Sequence, residues 1–174
     1  ASCSVALGLG AHQIDIYAGS YYVGTTSELV EVSQPDGSFI TGGGYTVIGT
    51  SGGSYAAAPG SRLNIGFNVA YRKANVTRGH ATFVFRKDGR RYQIKSMAID
   101  SLGMTTKAGV GIAYFRSRAN LTDITNPMAQ IPIKGSLSLQ VTLTGRGNPG
   151  TNDTIGVTLW DGNKLVFSSE WTGA

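Results

Sequence analysis

Residues 63–71 read LNIGFNVAY, a stretch in which large apolar residues take every second position. Leu63, Ile65, Phe67, Val69 and Tyr71 share one side of an extended chain, because successive side chains of a β-strand point to opposite faces. The stretch therefore predicts a strand with one face in a hydrophobic core. The same period recurs in GHATFVF (79–85), AYFRSRANL (113–121) and SLSLQVTL (136–143).

Turn-forming residues separate the alternating stretches. Asp88-Gly89 lies between TFVFRK and RRYQIKSMAI, and Asp161-Gly162-Asn163 lies between TIGVTLW and KLVFSSEW. Such turns join neighbouring strands into antiparallel hairpins. With about nine or ten short strands and no helical pattern, the sequence predicts an all-β antiparallel β-sandwich, either jelly-roll or immunoglobulin-like, with a partly closed barrel as the alternative.

Composition restricts the function classes. Charged residues make up only 14% of the chain and the net charge is +5, a modest excess that favours anionic partners in general but leaves nucleic acid unlikely. The single cysteine, Cys3, allows neither an internal disulfide nor a cysteine-rich zinc site. No apolar run is long enough for a membrane span. We expect no cofactor.

The first 34 residues form a separate unit in this interpretation. Gln13–Ala18 and Ser27–Val32 read as two strands joined by an aromatic loop. Two strands bury too little surface to be stable alone, so they must pack on the main body (35–174) or complete the sheet of another subunit. The residues expected at such a subunit interface are Ile14, Ile16, Tyr17, Tyr21, Tyr22, Leu29, Val30 and Val32.

Several segments resemble a known family. PDGSFITGGGYTVIG, NIGFNVAYRKANVTRGHATFVFR, YQIKSMAIDSL, FRSRANLT and NDTIGVTLWDGNKLVFSS are similar to an uncharacterised all-β module near the C-termini of large bacterial secreted and cell-surface proteins. The resemblance covers residues 35–172. SFITGGGY matches the family's FVTGGGW-type opening segment, with Tyr45 in the aromatic position. The family implies no catalytic residues.

The upstream segment CSVALGLGAHQIDIYAGSYYVGTTSELVEV resembles the last two strands of a bacterial immunoglobulin-like repeat. This resemblance implies that the chain begins inside such a repeat, as a piece of a longer precursor, or that these strands serve as a donor or linker segment.

Gly42, Gly43 and Gly44 lie in the predicted first strand of the main domain, Ser38–Tyr45. Glycine inside a strand pattern lets the backbone bend or lie close to another strand. A flexible linker is the alternative. A phosphate-binding loop is excluded because no Lys-Ser/Thr follows the glycines.

Other motifs give weaker indications. GTSGG (49–53) spells a nucleophile motif around Ser51, but it lacks the strand-to-helix context, and His12 and His80 both lie in strand-like segments. Asn148, Asn152 and Asp153 form a weak Ca²⁺ candidate.

Four cations surround one hairpin turn, and clustered guanidinium groups can bind phosphates or acidic sugars. The polyanion candidates are Arg86, Lys87, Arg90 and Arg91. Tyr17, Tyr21 and Tyr22 form a possible platform for sugar rings or the cover of an interdomain seam.

These observations predict a non-enzymatic extracellular or cell-surface structural module. Its expected partners are copies of itself, joined into a filament by strand donation, or neighbouring domains of a longer precursor. The alternative is a module that binds carbohydrate or polyanion, such as an acidic polysaccharide.

Overall fold

The computed structural model describes residues 4–8, 10–18, 24–32, 39–71, 76–145 and 152–170. Every regular element in these ranges is a β-strand, which confirms the all-β prediction. The strands are β1 Gly10–Ala18, β2 Gly24–Val32, β3 Phe39–Val47, β4 Arg62–Tyr71, β5 Thr77–Lys87, β6 Arg90–Lys107, β7 Val110–Asp123, β8 Ile131–Gly145, β9 Thr154–Asp161 and β10 Lys164–Ser168.

Strands β3 to β10 form one antiparallel sheet in consecutive order, and β1 and β2 form a separate antiparallel pair. The antiparallel sheet and the N-terminal strand pair are as predicted. The strand order refines the prediction, because neighbours in sequence are neighbours in the sheet throughout β3–β10. This is a meander, whereas jelly-roll and immunoglobulin-like sandwiches contain Greek-key connections.

The eight-stranded sheet folds over its own apolar face. The Phe67 and Phe115 rings, on β4 and β7, lie 6.2 Å apart, and the Phe85 ring on β5 stacks on that of Phe167 on β10 at 4.3 Å. Neither pair belongs to adjacent strands. The sheet therefore has two layers, with β3–β5 facing β7–β10 across the core.

Strand β6 passes from one layer to the other. Its 18 residues contain two register shifts against β7, between Ser96 and Ala98 and between Ile99 and Ser101. An extra residue in one strand bends it and increases its twist. Between these bulges, the Ile99 carbonyl accepts a hydrogen bond from Thr77 Oγ1 at 2.8 Å, which ties β6 to the start of β5.

The core contains the apolar residues that the alternation predicts. On β4, Leu63, Ile65, Phe67 and Val69 are buried, and β7 buries its alternate residues from Ala113 to Leu121. Strand β5 is buried on both faces, because Thr82 and Val84 are buried as well as the residues that alternate with them. The β1–β2 pair lies against β3, β4 and β5 of the same chain. The N-terminal pair thus has a covering surface on its own main body.

Candidate functional site

Strand β3 is an edge of the large sheet, with a ladder partner, β4, on one side only. Its nine residues, FITGGGYTV, include no charged residue and no proline, and its pairing with β4 has no bulge. Edge strands of natural proteins usually carry a charged residue, a proline or a bulge. These features are protective, because an open row of backbone N–H and C=O groups invites pairing with another chain. Strand β3 is therefore an unprotected edge.

The opposite edge, β10, is protected. It has five residues, starts with Lys164, and is covered by the connection between β3 and β4. In that connection, the Tyr55 amide donates to the Val166 carbonyl at 2.7 Å, and the Ser168 amide donates to the Gly52 carbonyl at 2.9 Å. The contrast between the two edges makes β3 the candidate site for strand addition.

Ser51 helps to attach this connection to β10. Its hydroxyl donates to the Ser168 carbonyl at 2.7 Å and accepts from the Ala57 amide at 2.9 Å. Gly53 adopts a φ of 96°, and a Cβ atom there would lie 2.5 Å from the Val166 carbonyl group. The GTSGG motif therefore makes hydrogen bonds and close backbone contacts between the connection and β10.

A cleft of about 770 Å³ lies along β3, and we call it the β3 cleft. All eight consecutive residues 39–46 line it, which indicates that the backbone edge of β3, rather than one of its faces, borders the space. The other wall is formed by the ends of β6–β9 and includes Leu143 and Ile155, which share one face of the sheet, and Ile112, which the ladder places on the other face. Among the described residues that line the cleft, Asp153 is the only charged one.

Close packing places β3 at this edge. Gly42 faces the Phe67 ring, and a Cβ atom at Gly42 would lie 2.7 Å from Phe67 Cζ. This confirms the predicted close backbone approach at the triple glycine. On the outer side of β3, the Arg62 guanidinium lies 4.0 Å from the centre of the Tyr45 ring, a cation–π contact with β4.

The basic hairpin tip forms as predicted, but most of its cations have carboxylate partners. Lys87 pairs with Asp88, Arg90 Nη1 lies 3.0 Å from Asp123 Oδ2, and Arg91 Nη2 lies 3.7 Å from Asp15 Oδ1. Arg86 is exposed and has no ion pair within the described ranges. The polyanion site stays a prediction, with Arg86 as its one uncompensated cation there.

Asp123 stands out electrostatically, because its side chain is only 4% exposed. Its Oδ1 accepts from the Thr125 hydroxyl at 2.5 Å and from the Thr125 amide at 2.9 Å. These hydrogen bonds, reinforced by Arg90, hold the pKa of the Asp123 carboxyl below its ordinary value. Burial, with the Asp123 charge nearby, raises the pKa of Tyr92. The contacts among Arg90, Asp123 and Thr125 connect β6 to the end of β7.

The predicted subunit-interface residues lie on the N-terminal pair. Ile14 is half-buried, whereas Ile16 and Tyr17 are 51% and 70% exposed. Leu29, Val30 and Val32 lie on β2, opposite Gln13, His12 and Gly10 in the ladder. Tyr21 and Tyr22 fall outside the described residues. Their assignment to an interface stays a prediction.

The Ca²⁺ candidate is described only in part. Asn152 and Asp153 are exposed, and Asn148 lies outside the described residues. No group of three or more His, Cys, Asp or Glu side chains that could hold a metal ion occurs within the described ranges. Likewise, no helix there has the length and apolarity needed to cross a membrane.

Sequence reasoning missed the β3 cleft. Its apolar wall residues, Ile112, Leu143 and Ile155, lie on three strands whose proximity depends on the folding of the sheet. One signal was available, since FITGGGYTV combines strand character with the absence of any charged residue or proline.

Comparisons of the chain with known protein families, curated proteins and solved structures found no match.

Proposed function

We propose that the protein is a non-enzymatic structural module that assembles with copies of itself by adding a strand to β3. The observation that carries the proposal is the unprotected β3 edge, nine residues without charge, proline or bulge. Backbone hydrogen bonds to an added strand would satisfy groups that otherwise face water, and the apolar wall of the β3 cleft would receive its side chains.

An extracellular or cell-surface location belongs to the same proposal. It follows from the resemblance of SFITGGGY and the later segments to modules of bacterial surface proteins. In that setting, neighbouring domains of a longer precursor are alternative strand donors. Repeated head-to-tail addition between identical chains gives a filament when the rotation between neighbouring copies does not close a ring.

Sedimentation velocity and electron microscopy of the full chain at increasing concentration test the proposal. We expect concentration-dependent assemblies. Thr46→Lys places a charge on β3 in the cleft and should reduce assembly, whereas Thr142→Lys makes the same change at an exposed position of the interior strand β8 and should leave it unchanged. Compact monomers alone at high concentration would refute the proposal.

The second candidate function is polyanion or carbohydrate binding. Exposed Arg86 and Tyr17 favour it, although Asp15, Asp88 and Asp123 offset three of the four tip cations. Retention on a heparin column distinguishes the candidates. Salt-sensitive retention that is lost in the Arg90→Ser/Arg91→Ser variant would support binding, and equal elution of both proteins would support the structural role.

A further inference from the structure

The outer face of the second layer, turned away from the core, carries exposed polar side chains along β7. Strand β7 alternates strictly here, since Ala113, Phe115, Ser117 and Ala119 are buried and the residues between them are exposed. The ladder places three polar residues of β8 beside the exposed ones. We call these six residues the β7 platform: Tyr114, Arg116 and Arg118 on β7, with Thr142, Gln140 and Ser138 opposite them on β8.

Tyr114 forms one end of the β7 platform. Its ring covers Gly103, the residue opposite it on β6, and occupies the space that a side chain there would take. Tyr114 nevertheless stays 54% exposed. The ring is therefore held against backbone while much of its surface remains available, and an aromatic ring packs well against the apolar C–H face of a sugar ring.

Arg116 and Arg118 supply positive charge in the middle of the β7 platform. Both are exposed, and within the described ranges neither guanidinium makes an ion pair or a hydrogen bond. Two residues apart on one face, their Cα atoms are separated by about 6.8 Å. Lys95, exposed on β6 opposite Asn120, adds a third cation nearby. At the basic hairpin tip, by contrast, three of the four cations have carboxylate partners.

A carboxylate lies beside the other end of the β7 platform and restricts the ligand. Glu170 Oε2 is 3.9 Å from the position that a Cβ atom of Gly156 would take, and the ladder pairs Gly156 with Thr142. A nucleic acid carries one charge per nucleotide and would meet this carboxylate unfavourably. A more sparsely charged chain with many hydroxyl groups suits the face better, because hydroxyls can donate to Glu170 and exchange hydrogen bonds with Gln140 and Thr142.

We infer that the β7 platform binds an acidic polysaccharide. Arg116 and Arg118 bind carboxylate groups of the polysaccharide, in the bidentate geometry that guanidinium groups favour, and Tyr114 packs on a sugar ring. The face measures about 14 Å along β7 from Tyr114 to Arg118 and about 10 Å across to β9, which accommodates a short stretch of an extended chain. This site goes beyond the proposed assembly, because β3 belongs to the other layer, and it shares no residue with the hairpin tip.

Binding of the full chain to polygalacturonate tests the inference, with uncharged dextran as the reference polymer. We expect saturable binding to polygalacturonate that weakens with added salt, and none to dextran. Arg116→Ala/Arg118→Ala should weaken binding about tenfold or more, because it removes two charge-assisted contacts. Arg78→Ala/Arg86→Ala removes the same two charges from exposed positions of β5 and should bind like the wild type.

Substitution of Tyr114 tests the packing on a sugar ring. Tyr114→Ala should weaken binding about threefold or more, whereas Tyr114→Phe keeps the ring and should bind like the wild type. Equal losses in the two variants would show that the hydroxyl and not the ring makes the contact, contrary to the inference.

Three results would overturn the site. The first is a wild-type chain that does not bind polygalacturonate, and the second is equal binding by the two double-arginine variants. The third is tighter binding of single-stranded oligothymidylate than of polygalacturonate, lost in Arg116→Ala/Arg118→Ala, which would assign the face to nucleic acid. A melting temperature identifies any variant that fails to fold, and Arg116→Gln/Arg118→Gln then replaces the alanine variant.

Sedimentation velocity of the same variants separates this inference from the proposed function. Arg116→Ala/Arg118→Ala should assemble like the wild type, since the substituted side chains lie outside the β3 cleft. Loss of polysaccharide binding with unchanged assembly is the expected pattern. A failure of assembly in the wild type would refute the proposed function and leave the polygalacturonate measurement to decide the β7 platform.

Discussion

The backbone of Gly42 lies directly against the ring of Phe67, so closely that a Cβ atom at Gly42 would be 2.7 Å from Phe67 Cζ and 2.8 Å from Cε1. Phe67 in turn lies 6.2 Å from the Phe115 ring in the opposite layer. The edge strand is thus set against the core without a side chain between them. This contact explains why glycine occupies the centre of β3 and why the backbone there borders the cleft.

Gly42→Ala should destabilise the fold, because the Phe67 ring can move only by disturbing its packing on Phe115. Overpacking of this kind costs about 1–3 kcal/mol in the free energy of unfolding. Urea denaturation measures it. Gly111→Ala is the matched control, since its added Cβ atom would meet only an ordinary contact of 3.6 Å with the Gly145 carbonyl. A Gly42→Ala variant as stable as Gly111→Ala would contradict the packing of β3 described above.

Neighbouring aromatic residues on β7 test the two-layer core. Phe115 is fully buried, whereas Tyr114 beside it is exposed and covers Gly103. We expect Phe115→Ala to cost about 3–5 kcal/mol in unfolding free energy. Tyr114→Ala should cost much less, because Tyr114 is already 54% exposed. Equal losses in thermal or chemical denaturation would mean that β7 does not present alternate faces to core and solvent.

Stability should depend on pH through Asp123. The folded-state pKa of this carboxyl is lowered from the ordinary value of 3.8, so the charged form is favoured in the folded protein. Its stabilising contribution is therefore fully present above pH 3.8 and is lost as the pH falls through the lower folded-state pKa. Asp123→Asn should remove that part of the acid-side decline.

Unfolding free energies measured between pH 2 and pH 7 give the comparison. Asp100→Asn makes the same charge change at an exposed bulge residue and serves as the control. If the wild type and Asp123→Asn decline in parallel below pH 4, the Thr125 and Arg90 contacts do not act as described.

Ser51→Ala should loosen the connection that covers β10. The substitution removes the bond to the Ser168 carbonyl and leaves the Ala57 amide, on a buried residue, without its acceptor. An unsatisfied buried donor costs about 1–3 kcal/mol. Ser138→Ala, at an exposed position of β8, is the control. The expected signature is lower unfolding free energy together with faster amide exchange at Tyr55 and Ser168; unchanged exchange would argue against this role.

The period of two in stretches such as 63–71 and 113–121 was sufficient to predict most of the core, because it fixes which side chains share a face. It could not determine which strands, not adjacent in the sheet, come into contact across the core. That depends on the two bulges of β6, at Met97 and Asp100, which let the sheet fold over, and neither residue type signals a bulge. The Asp88-Gly89 turn was predictable, since both residues adopt positive φ, 50° and 76°.

The candidate site was predictable only in outline. The apolar N-terminal residues were expected to need a covering surface, and β3–β5 of the same chain lie against the strands that carry them. The open edge is at β3 and not in the N-terminal strands. The order of strands in the large sheet determines which strand lies at its edge. The triple glycine predicted a close backbone approach, which the structure shows between β3 and Phe67. The position of β3 at the edge of the sheet follows only from the fold.

Hydrogen–deuterium exchange of the β3 amides as a function of protein concentration tests strand addition most directly. Amides on the open side of β3 exchange quickly when they face water and slowly once an added strand accepts their hydrogen bonds. The account predicts that protection within residues 39–47 rises with concentration, in step with assembly, while β5 in the sheet interior stays equally protected throughout. Assemblies that form while β3 exchange remains at its monomer rate would contradict it.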